Sequence, residues 1–481
     1  MSPRTVVVGG GLAGLTAALA CAERGAAVRL IERRPGLGGL AGSFLRSGPA
    51  GDLVVDTGQH VFLRCCTAYR QLLERLGVAG AVTLQDRLAV PVARPGSAPA
   101  AGPVTAELRR SPLPAPAHLA PALARYRLLG PADRLRVVRA ALALRRVDPA
   151  SPGNDAASFG GWLAAHGQNP RTVAALWDLF GVAALNAPAA RASLALAAQV
   201  FRTGLLDDAS AGDIGWSRVP LQHLHGDAAR RRLEEMGAEV VTRARVTGLR
   251  SRGGAWAVTT QDGTQDGTTQ HHADHVVLAV PPMVAEDLLP AGSLALPAGW
   301  AARLGSAPII NVHVVYDRQV LDRPFLAAVD SPVQWVFDRT EPAGLRPGAQ
   351  YPGAQYLAVS LSAAVDAVAQ PSAVLQESIL PALAALLPAA GSARVLDTFV
   401  TREPHATFDP APGQAALRPP PTTAHPGLVL AGAWTDTGWP ATMEGAVRSG
   451  LAAAAALERP VAVPAAREPG AASVRPAGVV A

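Results

Sequence analysis

The stretch TVVVGGGLAGLTAALACAERGAAVRLIE, residues 5–32, constrains the fold more than any other part of the chain. Thr5 to Val8 is a short β-branched run, Gly9-Gly10-Gly11-Leu12-Ala13-Gly14 fits G-x-G-x-x-G, and Leu12 to Arg24 reads as a helix with Gly25 just past its end. A mostly apolar run, Ala27 to Ile31, then delivers Glu32, eighteen residues after Gly14. Strand, turn, helix, strand and correctly spaced acid together predict a dinucleotide-binding βαβ unit. Gly9 permits the tight turn, Gly11 lets the backbone approach a pyrophosphate, Gly14 brings helix and strand together, and Glu32 can accept a hydrogen bond from a ribose hydroxyl. The 18 consecutive uncharged residues from Thr5 to Ala22 also raise a signal peptide or membrane span as an alternative. The glycines at 9, 10, 11 and 14, and the return of charge at Glu23 and Arg24, favour the strand, turn and helix.

The rest of the composition narrows the function classes. A chain of 481 residues, 49% hydrophobic and 17% charged, is long enough for two interleaved domains with real cores, which excludes disorder as its dominant state. All 43 basic residues are arginine, so a Walker lysine, a Schiff-base lysine and a lysine general base are impossible. These arginines are scattered and not clustered, so no nucleic-acid partner is expected. The three cysteines, Cys21, Cys65 and Cys66, form no disulfide framework and suggest a reducing compartment, hence a cytoplasmic protein.

After Glu32 and Arg33, the pair Gly38-Gly39, followed by Leu40, is placed to pass close to a phosphate or a flavin tail. Far downstream, Leu428 to Gly432 is a buried strand, and a helix runs from about Met443 to Leu457. A strand returning to the N-terminal sheet aims that helix's positive end at a cofactor pyrophosphate. The first and last motifs together resemble the FAD-dependent amine oxidase and phytoene desaturase superfamily. The resemblance implies an α/β fold: a Rossmann-like FAD-binding domain with an interleaved α+β substrate domain. The expected divisions are 1–92, 215–290 and 405–458 for the FAD-binding domain, and 93–214 and 291–404 for the substrate domain. A proline- and alanine-rich tail, 459–481, is expected to be disordered. In the middle of the chain, residues 215–249 read as a helix ending near Gly237 and a strand ending in Arg245-Val246, and Val246 inherits an adenine contact by resemblance. Runs at 308–316, 333–337 and 356–361 read as strands of the second domain, and the segments 93–104 and 340–355 as loops.

The segment VVDTGQHVFLRCC, residues 54–66, fits the D-x-G wall that faces the isoalloxazine in such flavoproteins, through Asp56, Gly58, Gln59 and His60. Two readings stand side by side. Gly58 serves close approach and His60 is a packed, hydrogen-bonded residue, or His60 or Asp56 takes part in proton transfer. No metal site is expected, because no second His/Cys cluster has ligand spacing and His271-His272 sits in a polar, turn-like stretch. Cys65 and Cys66 open a helix, TAYRQLLERLG, as small hydrophobes. With no cysteine near the C-terminal motif, FAD is expected to be held noncovalently. The remaining cofactor contacts expected are Leu12 and Ala13 in the first turn, and Gly432, Ala433, Thr442 and Met443 at the end.

Within the superfamily, DTGQHVFLRCCTAYRQLLERLG, LWDLFGVAALNAPAARAS (176–193) and LAGAWTDTGWPATMEGAVRSG (430–450) resemble the squalene-associated FAD-dependent desaturases, whose members act as hydroxysqualene dehydroxylases. That resemblance implies a long-chain isoprenoid substrate, reductive replacement of its allylic hydroxyl, and a functional link to the prenyl synthases of the squalene pathway. Relatives carry an acid directly after the C-terminal strand glycine where this chain has Ala433, so Asp436 or a backbone group is expected to serve there. Candidate proton donors are Asp56, His60, Asp436 and Glu444, the last also placed to face the dipole of the final helix. Residues 111–146 combine prolines, leucines and arginines in two helices, either a docking surface for the inner face of the cell membrane or a lid over the pocket. A carotenoid-type desaturase and a non-catalytic lipid-binding relative share the cofactor motifs and stay open as alternatives.

Overall fold

The computed structural model describes residues 2–97, 101–262, 267–345 and 352–458. Its organising element is a parallel five-stranded sheet in the order Glu239–Thr242, Ala27–Glu32, Arg4–Val8, His275–Leu278, Leu428–Leu430. Parallel neighbours need long connections. The two longest, from Glu32 to Glu239 and from Leu278 to Leu428, carry the rest of the molecule. Val6, Val7 and Val8 are at most 3% exposed, as expected of a strand covered on both faces. The helix Leu12–Glu23 lies on one face with Leu15 and Leu19 fully buried, each contributing roughly 1.5–3 kcal/mol. The C-terminal helix Met443–Ala456 crosses it closely: a Cβ on Gly450 would stand 2.3 Å from the Ala13 carbonyl oxygen.

A seven-stranded sheet forms the second layer, in the order Val395–Thr407, Ala307–Tyr316, Gln355–Leu361, Trp335–Asp338, Phe325–Ala328, Ala89–Arg94, Val104–Arg109. Period-two alternation sorts its faces. Ile310, Val312, Val314 and Tyr316 pack with Leu375, Ile379 and Leu383 of the helix Ser372–Leu386. On the other face Val315 joins Leu53 and Val55 of the hairpin Ser43–Gly48/Gly51–Asp56, so this inner face leans on the chain that follows the second glycine pair. Helices Pro131–Leu144, Phe159–Ala165, Asp178–Leu185 and Leu194–Phe201 add a helical layer centred on Phe159, Trp177 and Phe201.

Several expectations change on this frame. The boundaries at 92/93 and 404/405 fall inside Ala89–Arg94 and Val395–Thr407, both strands of the seven-stranded sheet. The strand expected to end at Arg245-Val246 is two strands. Glu239–Thr242 joins the parallel sheet, Arg243 turns the chain with φ 61°, and Ala244–Arg252 starts an antiparallel meander with Ala255–Asp262 and Thr268–Ala273. His271 and His272 therefore lie in a strand and not a turn, with the His271 Nδ1 accepting from Arg29 at 2.7 Å. In 111–146 the two helices are unequal, Ala120–Ala124 and Pro131–Leu144. The tail 459–481 and parts of the two loop segments, 98–100 and 346–351, lie outside the described residues.

Candidate active site

Two glycine-rich turns meet at the carboxyl ends of the first two parallel strands, the edge at which open α/β sheets bind ligands. Gly38 N donates to the Gly10 carbonyl at 2.8 Å, and Gly11 and Gly38 form a parallel bridge. Gly39, with φ 61°, brings its backbone so near that a Cβ there would be 3.0 Å from Gly11 Cα. Gly14 has no room at all, since a Cβ would sit 1.9 Å from the Gly9 oxygen. Gly11 is the opposite case. Nothing lies closer to its Cβ position than Gly39 Cα at 4.0 Å, which leaves bare backbone facing an open cradle at the N-terminus of a helix that begins with the buried Leu12 and Ala13.

Glu32 is 9% exposed and accepts from Gly10 N and Arg34 N, both at 2.7 Å. A carboxylate offers about four lone-pair positions, so acceptor capacity is left for a ribose hydroxyl. Arg33 and Leu40 are exposed beside it. At the shelf, His60 Nε2 donates to the Leu40 carbonyl at 3.1 Å and lies 3.1 Å from the Cβ position of Gly58. Gln59 Nε2 is buried without a partner, a donor that a cofactor can satisfy. Val246, buried, pairs with Thr260 in the meander. At the far end, Thr442 caps the C-terminal helix by accepting from Gly445 N at 3.1 Å, with Met443 buried behind it, and Ser449 Oγ accepts from Gly432 N at 2.9 Å. The loop carrying half-buried Ala433 is held by Arg418, whose guanidinium donates to the carbonyls of Trp434, Thr435 and Trp439. Burial lowers the Arg418 pKa to about 10, with Asp436 and Asp155 opposing.

The four candidate proton donors fare differently. Asp56 is buried with both oxygens taken: Oδ2 pairs with Arg339 at 2.5 Å, and Oδ1 accepts from Ser43 Oγ at 2.6 Å and Leu221 N at 3.0 Å. That carboxylate ties the hairpin to the helix start at Leu221, and both its oxygens are committed to those partners. Glu444 is also spent, because it accepts from Ala68 N, Tyr69 N and Arg448 Nε. The dipole it faces belongs to the neighbouring helix Thr67–Arg75, whose N-cap is Cys66, and not only to its own. Asp436 is exposed and accepts from Gly438 N within its own turn. Burial pushes the His60 imidazole below the usual histidine range and Arg339 adds to this, against the Leu40 carbonyl and Asp56, so His60 is neutral near pH 7.

The inner face of the seven-stranded sheet carries residues that the sequence reading passed over. Asn311 is 1% exposed and neither of its amide atoms has a partner. It sits opposite Thr401 and Ser360, next to a chain in which Tyr356 Oη is hydrogen-bonded to His313 Nδ1 at 2.7 Å and His313 Nε2 to Thr401 Oγ1 at 3.0 Å. Two residues on from Thr401, Glu403 is half-buried, and its side chain makes no hydrogen bond or ion pair among the described residues. Burial raises its carboxyl above the ordinary glutamate range while Arg34, from the cofactor turn, and His405 pull it down. Alternation along Phe399, Thr401 and Glu403 was the available signal, but it gains meaning only once the face is known.

A bare glycine cradle, a ribose acceptor, an orphaned amide at the shelf and a capped helix aimed at the same cleft fit FAD. Together they define a flavin-dependent oxidoreductase with a Rossmann-type cofactor domain. Residues 12–457 match the flavin containing amine oxidoreductase family, and the chain belongs to it. Among relatives, it is 29% identical over 472 residues to hydroxysqualene dehydroxylase from Rhodopseudomonas palustris, covering 94% of this chain and 98% of that one. It is 26% identical over 453 residues to the protein of that name from Zymomonas mobilis, with the same coverage. Among solved structures it resembles cyclohexylamine oxidase from Brevibacterium oxydans IH-35A, with TM-score 0.67 and 17% identity over 95% of this chain and 99% of that one. A putrescine oxidase gives TM-score 0.64 at 20% identity with the same coverage. The protein is thus an FAD-dependent oxidoreductase of the squalene and carotenoid desaturase type.

Proposed function

We propose that the protein reductively removes the allylic hydroxyl of hydroxysqualene to give squalene. The observation that carries this reading is the match to the Rhodopseudomonas palustris hydroxysqualene dehydroxylase along nearly the whole of both chains. The maize zeta-carotene desaturase, 29% identical over 187 residues, is covered for only 31% of its length, which supports a shared part and not a shared reaction. The substrate on this reading is a long-chain isoprenoid, and the enzyme acts after the prenyl synthases that build it.

The reaction breaks a C–O bond with its electron pair going to oxygen, adds one proton so that water leaves, and closes the carbon with a hydride. Reduced FAD, when bound, supplies that hydride. The protein's own work is to orient the hydrocarbon, exclude water and deliver the proton. Glu403 is the proton source on this reading: it is half-buried, burial raises its carboxyl above the ordinary glutamate range, and its side chain has no hydrogen-bond or ion-pair partner among the described residues. Asn311, its amide buried and unpartnered on the adjacent strand, donates through Nδ2 to the departing oxygen. Phe325 and Phe337 extend the same layer as an apolar wall for the chain of the substrate.

Anaerobic incubation of the purified protein with reduced FAD and hydroxysqualene, followed by mass analysis, tests the reaction. Squalene is expected, and a product two hydrogens lighter than the supplied terpene would make the protein a desaturase. Glu403→Gln should retain the yellow colour and lower kcat on the order of 10²- to 10⁴-fold, the usual range for a lost general acid. An unchanged rate would move the proton to another group.

A further inference from the structure

The helix Pro131–Leu144 is apolar on two faces, and folding explains one of them. Val137, Ala140 and Leu144 are 4%, 0% and 0% exposed and belong to the large core cluster that also contains Trp177 and Trp434. Leu135, Val138 and Leu142 stand outward at 51%, 38% and 45% exposure, spaced three and four residues apart as one stripe. Around that stripe the charge is one-sided. Residues 111–146 contain seven arginines and a single acid, Asp133, which is already paired with Arg136 at 2.7 Å. Arg145 pairs with Asp207, and Arg134 is spent on the carbonyls of Tyr126 and Ala124. Arg125, Arg127, Arg139 and Arg146 are exposed and have no carboxylate partner among the described residues.

We propose that this face docks on an anionic lipid bilayer, with the Leu135-Val138-Leu142 stripe entering the headgroup boundary and the four unpaired arginines meeting lipid phosphates. Charge complementarity selects lipid over protein. Uncompensated arginines around a purely aliphatic stripe match an interfacial helix, whereas protein interface cores favour aromatic residues, and the stripe has none. Among the described residues no helix is long and apolar enough to cross a membrane, so contact is from one side. Tyr126, buried next to the docking helix, donates to the Ala175 carbonyl at 2.8 Å in the π-helical turn Val173–Trp177, which connects the face to the helical layer over the second sheet. The inference stands apart from the reaction assigned above, because its readout is binding and not turnover.

Co-sedimentation of the full FAD-loaded protein with vesicles tests it, using phosphatidylcholine alone and phosphatidylcholine mixed with phosphatidylglycerol at about three to one. Binding to the mixed vesicles is expected, with the arginine-dependent part lost near 1 M salt, where the screening length is about 3 Å. Replacing all four of Arg125, Arg127, Arg139 and Arg146 by glutamine should weaken partitioning by about fivefold per residue, roughly 600-fold in total. L135S, V138S and L142S combined should abolish it while FAD absorbance and Tm stay as in the parent. Equal binding by parent and variants, or no sedimentation of the parent with anionic vesicles, overturns the proposal. So does a parent dimer that the triple serine variant splits, which would make the face a contact between two copies.

Discussion

At the scale of the residue, the glycines of the first turn have separable duties. A valine at Gly11 enters open space, so Gly11→Val should fold with the Tm of the cofactor-free parent and purify colourless, because its methyl groups occupy the pyrophosphate cradle. Gly14→Ala has no such freedom, its Cβ falling 1.9 Å from the Gly9 oxygen. It should destabilise the fold itself by about 1–3 kcal/mol or more, read as a lowered Tm in the cofactor-free protein. A normally yellow Gly11→Val protein would displace the cofactor. These roles were legible in the sequence because a βαβ unit is built from near neighbours. The roles of Asp56 and Glu444 were not, since their partners Arg339 and Ala68 lie 283 and 376 residues away. Those distant partners use up the oxygens of both carboxylates.

Among elements, the C-terminal helix is positioned by contact with the first helix as much as by its strand. A Cβ at Gly450 would meet the Ala13 oxygen at 2.3 Å and Thr16 Cβ at 2.8 Å. Gly450→Ala should therefore push the helices apart, lower stability by about 1–3 kcal/mol and weaken FAD retention, because the Thr442 end of the same helix moves with it. Thermal melts and FAD titration of the purified variant measure both effects, and unchanged FAD affinity would separate helix packing from the cofactor. The extents of this helix and of the first strand, helix and second strand were legible to within one residue from glycine positions and β-branched or apolar runs. The meander from Ala244 to Ala273 did not, because Arg243 breaks one apolar run into two strands through a left-handed turn that no glycine announces. The alternating polar residues of Thr268–Ala273 resemble a turn until a neighbouring strand pairs with them.

For the whole molecule, two buried histidines link acidity to folding. His225 is held between the Tyr69 hydroxyl and the Ala41 carbonyl, both at 2.8 Å, and burial pushes its pKa down to about 4, with His60 adding to the fall. His313 in the second sheet is pushed to about 3, by burial first and Arg46 second. Both are neutral in the fold, whereas the unfolded chain binds protons from about pH 6.5 downward. Their contribution is therefore complete above pH 6.5 and is lost as pH falls from there towards 4 for His225 and towards 3 for His313. For His225 alone the loss is about 3 kcal/mol, at roughly 1.4 kcal/mol per pH unit. Denaturant unfolding between pH 7 and pH 4 should show the two contributions together, and His225→Gln should reduce the slope by about half, leaving that of His313; a parallel profile in that variant would assign the acid sensitivity elsewhere. The cofactor unit and the return of the chain to it can be read along the chain, because glycine spacing, β-branched runs and helix caps act within a few residues of one another. Which acids are engaged, which amide stands unpaired and which leucines face outward were decided only by tertiary structure. Burial and pairing are properties of surfaces brought together from distant parts of the chain, and the same glutamate is a helix cap or a proton donor according to what lies across from it.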